Sequence, residues 1–206
     1  MQRLPTLRRA TLLTALATVL ASCDGQSPNA TTSFSVRLKD APGDVQHAFV
    51  TISEVSLVGS GGQQVLSDTP TTVDLLTLAA STMTLVQDVE VPSGSYSQLR
   101  FKITGACLAV EDGSGGSEVY ATPDFDATLC GTAPAQVLQA PSFATSGLKV
   151  TTTGDALELT GPEKIVLVDF DVTQSFGHEA SGWVMHPVIA GMTLEATETT
   201  QAAQAT

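Results

Sequence analysis

Residues 33–57 have the sequence SFSVRLKDAPGDVQHAFVTISEVSL. Apolar and polar residues alternate in its first part, which places one set on a single face of a β-strand: Phe34, Val36 and Leu38. A corner at Asp40–Asp44 follows, where proline, glycine and aspartate favour a turn. β-Branched residues then indicate a second strand, in which the apolar parity flips after Ile52. A bulge near Ser53-Glu54 would return both halves of this strand to the core.

The rest of the chain continues in this way, with short apolar stretches between glycine and proline turns. Residues 59–62 (GSGG) predict a hairpin, and Gly161-Pro162 predicts a second one between residues 155–160 and 165–172. Residues 183–189 are expected to form the closing strand. No long segment has the 3.6-residue period of a helix. We therefore predict an all-β domain over residues 33–192, a two-sheet antiparallel β-sandwich of immunoglobulin- or transthyretin-like architecture.

The first 22 residues have the pattern of an export signal. Arg3, Arg8 and Arg9 precede a short apolar segment, Ala10 to Leu20, which is too short to span a bilayer stably. The residues at the end of this segment and just after it, Leu20-Ala21-Ser22-Cys23, match a lipobox. Cleavage before Cys23 and acylation of its thiol would anchor the mature protein by several acyl chains. The alternative is an ordinary signal peptide that ends near a cysteine.

Two polar segments flank the predicted domain. Residues 23–32 contain Gly, Pro and Ser without periodic apolar positions, and they predict a flexible tether. Residues 193–206 lack aromatic residues and predict a disordered tail.

The mature chain is strongly acidic. Removing residues 1–22, which hold three arginines and no acidic residue, takes the formal charge from −12 to −15. Such a surface repels nucleic acid and anionic lipid headgroups, so we expect no nucleic-acid partner. The acidic residues are scattered over turns and strand faces, which favours a solvated surface over a dedicated site.

Three cysteines divide into Cys23 and a pair further along the chain, Cys107 and Cys130. Export would place that pair in an oxidising compartment, so we predict a disulfide that ties an irregular segment to the sandwich. Two buried free thiols are the alternative. A zinc site is not expected, because no second closely spaced Cys or His accompanies them.

Few residues suggest chemistry. His47, His178 and His186 form no metal-binding or catalytic motif, and we interpret them as surface or structural residues. Two carboxylate pairs could supply calcium ligands: Asp40 with Asp44, and Asp169 with Asp171. Turn formation explains the first pair and a solvent-facing strand explains the second, so we expect no metal or other cofactor. A Ser-His-Asp triad that assembles only in space would leave no mark in the sequence.

Several segments together resemble a known family. After residues 33–57 these are, in order, VDLLTL (73–78), VPSGSYSQLRFKI (91–103), APSFATSGLKV (140–150), VLVDFDVTQSF (166–176) and WVMHPVI (183–189). The set resembles the bacterial lipoprotein family known as domain of unknown function 4382. The resemblance implies a secreted, mostly β domain and assigns no catalytic residue.

We therefore expect a lipoprotein on the extracytoplasmic face of the bacterial cell envelope, held to the membrane through Cys23. Its β-domain is expected to be non-enzymatic and to bind an envelope protein or ligand, or to serve as a structural module. The alternative is an exported hydrolase or metal-dependent enzyme whose site converges only in the folded chain. A deep pocket lined by His and Asp would favour the enzyme.

Overall fold

The computed structural model describes residues 30–41, 45–132, 134–140, 145, 147–152 and 156–194. The predicted signal peptide, Cys23 and most of the predicted tether lie outside these residues, as do positions 42–44 of the predicted corner and most of the predicted tail. Within the described ranges no helix is long and apolar enough to cross a membrane.

The described chain consists mainly of β-strands. In order these are β1 (Thr31–Ala41), β2 (His47–Gly59), β3 (Gly62–Ser67), β4 (Thr71–Asp74), β5 (Met83–Pro92), β6 (Gly94–Glu111), β7 (Ser117–Ala121), β8 (Ala135–Val137), β9 (Leu148–Thr152), β10 (Leu157–Leu159), β11 (Glu163–Asp171), β12 (Phe176–Glu179), β13 (Gly182–Met185) and β14 (Ile189–Leu194). Short helical turns occur at Leu75–Leu78, at Ala127–Leu129 and in the four-residue helix α1 (Val172–Ser175). The prediction of an all-β class is confirmed.

Neighbouring strands are hydrogen-bonded to each other in the order β3-β2-β6-β9-β14-β11-β1-β5. Strands β5, β1, β11 and β14 form one layer, and strands β2, β3 and β6 belong to the other. Strand β9 joins the layers because it pairs with β6 through Leu148 and Val150 and with β14 through Thr151 and Thr152. Side chains of both layers share one buried cluster, so the architecture is a sandwich whose sheets share a strand.

Alternation explains how β1 contributes to this core. Phe34, Val36 and Leu38 are fully buried, whereas Arg37 and Lys39 on the other face are partly exposed. Strand β2 also turns its apolar side chains towards the core. Val50 and Ile52 are buried before the change of parity, and Val55 and Leu57 are buried after it. The register with β6 shifts between Ile52 and Glu54, so the predicted bulge is present at that place.

Other expectations about strand partners need correction. Strand β10 pairs with β6, with Leu157 opposite Tyr96, and β11 pairs with β1 and β14. The predicted hairpin across Gly161-Pro162 is therefore wrong, because the turn passes the chain from one layer to the other. Three pairs, β1–β11, β9–β14 and β7–β8, are parallel, so the sheets are not purely antiparallel.

The end of the domain also differs from the expectation. Residues 183–189 do not form the closing strand, because Trp183 belongs to β13, which pairs with β12 in a small hairpin. Pro187 lacks an N–H group, and the chain has no regular structure at residues 186–188. The strand that completes the sheet is β14, which extends to Leu194, and β1 begins at Thr31 instead of at residue 33.

Candidate functional site

The two ends of the sandwich differ in the residues that they carry. We call the end at which the described chain begins the near end. There Ser93 donates its N–H to the Ala30 carbonyl at 2.8 Å, and the Thr32 hydroxyl donates to the Gly161 carbonyl at 3.0 Å. The β2–β3 turn lies at the same end, because Gly59 is opposite Tyr96.

We call the opposite end the far end. It contains the first residues of β2, since His47 lies opposite Ala109 near the end of β6. The end of β1 is also there, because Ala41 lies opposite Asp171 at the end of β11. Strand β2 has 13 residues, so the two ends are separated by about 40 Å along it.

A histidine–aspartate pair stands at the far end. The Nδ1 atom of His47 lies 2.8 Å from Oδ2 of Asp74, and Oδ1 of Asp74 accepts N–H groups from Ala48 at 3.3 Å and Leu76 at 3.2 Å. The Asp74 side chain is 12% exposed and that of His47 is 48% exposed. The carboxylate is therefore held by the backbone, and it orients a half-exposed imidazole through Nδ1.

A surface cleft of about 460 Å³ adjoins this pair, lined by Gln46, His47, Ser117, Cys130, Gly131 and Thr132. The Ser117 hydroxyl donates to the side-chain oxygen of Gln46. Among the described residues no hydroxyl is hydrogen-bonded to His47. The geometry therefore supplies an oriented base without the adjacent nucleophile that a triad requires.

The disulfide between Cys107 and Cys130 is present and supports the floor of this cleft. The two Cα atoms are 6.4 Å apart, and both side chains are buried. The bridge holds the segment after β7 against the outer face of β6 and β7, over a small second cluster that includes Val119. Gly105 contributes because a Cβ there would come within 2.9 Å of the Phe125 ring.

An aromatic cluster lies nearby, between β7 and the β12–β13 hairpin. The ring centroids of Tyr120 and Trp183 are 6.1 Å apart, and those of His178 and Trp183 are 5.6 Å apart. The Tyr120 hydroxyl donates to Glu118 at 2.6 Å and accepts from Gln136 at 3.3 Å. The hydrogen bond to Glu118 is the main reason that the pKa of Tyr120 is raised, and burial adds to it.

The sequence alone does not reveal this cluster, because its rings come from distant segments and share no local pattern. Glu118, Gln136 and His178 are exposed, and Trp183 is partly exposed. The cluster therefore offers aromatic surface beside hydrogen-bonding groups, a combination that is typical of binding surfaces.

The acidic pairs have other roles where they are described. Lys39 lies 2.5 Å from Oδ2 of Asp169, so an ammonium group already compensates that carboxylate. Asp171 instead caps α1, because its Oδ1 accepts the Gln174 N–H at 3.0 Å. Asp44 and the side chain of Asp40 lie outside the described residues. In the described part of the chain no three His, Cys, Asp or Glu side chains are grouped so that they could hold a metal ion.

The remaining histidines are placed apart from His47. His178 lies on β12, and His186 follows β13. His186 is 3.5 Å from Glu179, and both side chains are more than half exposed. They make no common site with Asp74, although all three histidines belong to the far half of the molecule.

Comparison with known proteins gives a family and no activity. A family described as "Domain of unknown function (DUF4382)" matches residues 31–187. No curated protein and no solved structure matches the chain. The family match covers β1 through the β12–β13 hairpin and therefore includes most of the core, the disulfide and both far-end clusters. On this match, the chain belongs to the DUF4382 family.

Proposed function

We propose that this protein is a lipid-anchored lipoprotein of the bacterial cell envelope, and that its non-enzymatic β-domain binds an envelope protein or ligand with the far end. One observation carries the proposal. The described chain begins at the near end, seven residues after Cys23, whereas the oriented histidine and the aromatic cluster lie at the other end. An anchor at Cys23 would leave the far end facing away from the membrane.

The packing of the domain supports binding through a surface. The inward side chains of both layers fill the core, and residues such as Phe34, Phe101 and Phe170 are fully buried. The cleft beside His47 is a surface cleft, lined by the first residues of β2 and β7 and by residues 130–132 of the disulfide-tied segment. A partner would therefore contact exposed loops and rings rather than enter the sandwich.

Capture from the native envelope tests the proposal. The full-length protein would carry a C-terminal affinity tag, because β14 ends with Leu194 opposite Ile165, away from the far end. Crosslinking would be compared for wild type, for the His47→Ala/His178→Ala variant and for a near-end control, Ser60→Ala. We expect a partner that is lost only from the far-end variant. Equal capture by all three proteins would contradict the proposal.

An exported hydrolase is the second candidate, and the His47–Asp74 pair is the observation that favours it. Ser117 lines the same cleft, where its hydroxyl is hydrogen-bonded to Gln46. Labelling with a fluorophosphonate probe tests this candidate. Labelling of wild type that is lost in both Ser117→Ala and His47→Ala would establish a serine nucleophile and displace the binding proposal.

A further inference from the structure

The near end has its own surface, which the far-end binding proposal does not use. A cleft of about 500 Å³ lies between the β2–β3 turn and the β5–β6 turn. Its lining residues share the absence of any charged side chain: Gly59, Ser60, Gly61, Gly62, Gln63, Gln64, Pro92, Ser93, Gly94, Ser95 and Tyr96. This is unusual in a chain whose mature charge would be −15.

The tether limits how far this surface can lie from an anchor. Seven residues, 24–30, separate Cys23 from Thr31. Fully extended, they span at most about 25 Å. The near end must then stay within that distance of the lipid headgroups, whereas the far end lies about 40 Å further along β2.

Tyr96 gives the near end a rigid amphipathic group. Its hydroxyl donates to the Pro92 carbonyl at 2.8 Å, and its ring packs against the core. The ring also lies against Gly59, where a Cβ would come within 3.0 Å of it. Tyrosine is enriched at membrane–water interfaces, because its apolar ring and polar hydroxyl suit both phases.

The positions of the carboxylates at the near end affect which of its sides can approach a bilayer. Glu90 and Glu163 lie opposite Ser33 on the β1 side. On the cleft side the lining residues are uncharged, and Glu158 on β10 lies opposite the lining residue Ser95. Carboxylates are repelled by anionic headgroups, whereas the uncharged cleft is not. The turns would therefore contact the membrane in preference to the β1 side.

We propose that the uncharged turns at 59–62 and 92–94 form a membrane-facing surface that contacts the headgroups of a phospholipid bilayer. This inference rests on the proposed lipid anchor at Cys23. It goes beyond that anchor because it assigns contact to a defined surface, whereas a tethered domain could also tumble freely above the lipid.

Fluorescence quenching in proteoliposomes tests the assignment. The lipidated full-length protein would be labelled at Ser60→Cys in the near-end turn or at Ser114→Cys in the exposed far-end loop. With the native pair bridged and Cys23 acylated, the introduced thiol is the one that reacts. Vesicles of phosphatidylcholine with phosphatidylglycerol would carry headgroup quenchers. We expect severalfold stronger quenching at Ser60→Cys. Equal quenching, or stronger quenching at Ser114→Cys, would overturn the assignment.

A variant with a longer tether distinguishes direct contact of the turns with headgroups from mere confinement of the domain near the membrane. A Gly/Ser insertion after Gln26 that doubles the tether should leave quenching at Ser60→Cys unchanged if the turns bind headgroups. Quenching that falls to the level of Ser114→Cys would show that only the short tether kept the label near the lipid, and the contact proposal would fail. Flotation controls report on the anchor: a wild-type protein that fails to float with vesicles would refute the anchor itself, whereas floating protein with unselective quenching would refute only the surface.

Discussion

Asp88 shows how a single residue shapes an edge of the sandwich. Its backbone φ is 51°, a region that residues with a Cβ rarely adopt. The Ser35 hydroxyl accepts the Asp88 N–H at 3.0 Å and donates to Asp88 Oδ1 at 3.3 Å. The β1–β5 register shifts at this place, so Ser35 stabilises the extra residue of a bulge. Aspartate suits the position because it tolerates the left-handed region and supplies an acceptor.

Substitutions at Asp88 should separate backbone strain from hydrogen bonding. Asp88→Asn retains both the tolerance of positive φ and an acceptor oxygen, so we expect a nearly unchanged free energy of unfolding. Asp88→Val combines a β-branched side chain with positive φ and should cost about 1–3 kcal/mol. Urea denaturation would measure both values. A neutral Asp88→Val would show that the backbone relaxes at this position.

Tyr120 provides a spectroscopic test of the aromatic cluster. Its pKa is raised first by the hydrogen bond to Glu118, so its stabilising contribution is complete below the pKa of an unfolded tyrosine and is lost as pH rises through the folded value. Glu118→Gln should move the pKa of Tyr120 back towards the ordinary value. Ultraviolet titration of tyrosinate would report this in a Tyr96→Phe background, because the chain has two tyrosines. An identical titration curve with Glu118→Gln would contradict the described contact.

At the scale of elements, the disulfide and the β7–β8 extension build the far end. Cys107 belongs to the long strand β6, and Cys130 follows a short helical turn capped by Asp126. The segment between β7 and Cys130 has little regular structure of its own, so its position depends on the bridge and on the packing of Phe125. The cleft beside His47 shares Cys130 and Gly131 with this segment.

Removing the bridge should therefore loosen the far end more than the core. For a sequence separation of 23 residues, Cys107→Ala/Cys130→Ala should lose about 3 kcal/mol of stability. A domain of this size would then melt about 6–12 °C lower. Hydrogen exchange should rise mainly over residues 122–132. Reductant is the control, because it should lower the melting temperature of wild type and leave the double variant unchanged. Equal melting temperatures for the wild type and the double variant would show that the disulfide does not stabilise the domain.

At the scale of the whole molecule, the strand order creates two unlike ends. The near end contains tight turns without charged residues in its cleft, whereas the far end contains the histidine–aspartate pair, the disulfide-tied segment and the aromatic cluster. This division is the basis of the proposal that one end is anchored and the other binds a partner.

The proposed lipid anchor at Cys23 concerns the whole molecule. Cys23→Ser removes the thiol that acylation requires, so the variant should remain unprocessed or become soluble. Detergent phase partitioning and the mass of the mature N-terminal peptide would measure this. Ser22→Ala is a matched control, because it keeps Cys23 and a small residue before it. A Cys23→Ser protein that matures and partitions like wild type would refute the anchor.

Local pattern by itself determined the class of the fold and the faces of its strands. The alternation around Phe34 and the bulge after Ile52 were predictable, because side-chain direction along a strand depends only on neighbouring residues. The bridge between Cys107 and Cys130 was predictable as well, since that prediction needed only the number of cysteines and the expectation that the chain is exported.

Only the tertiary structure decided which strands pair and which side chains meet. Leu157 and Leu159 alternate with Glu158, so both leucines face the core. This alternation would fit pairing with any strand that borders the shared core. In the structure their strand, β10, pairs with β6 instead of β11. His47 reaches Asp74, and Tyr120 reaches Trp183, through the same long-range choices. Partner choice depends on burial summed over the whole core and on loop-closure entropy, and neither quantity is a property of a local stretch.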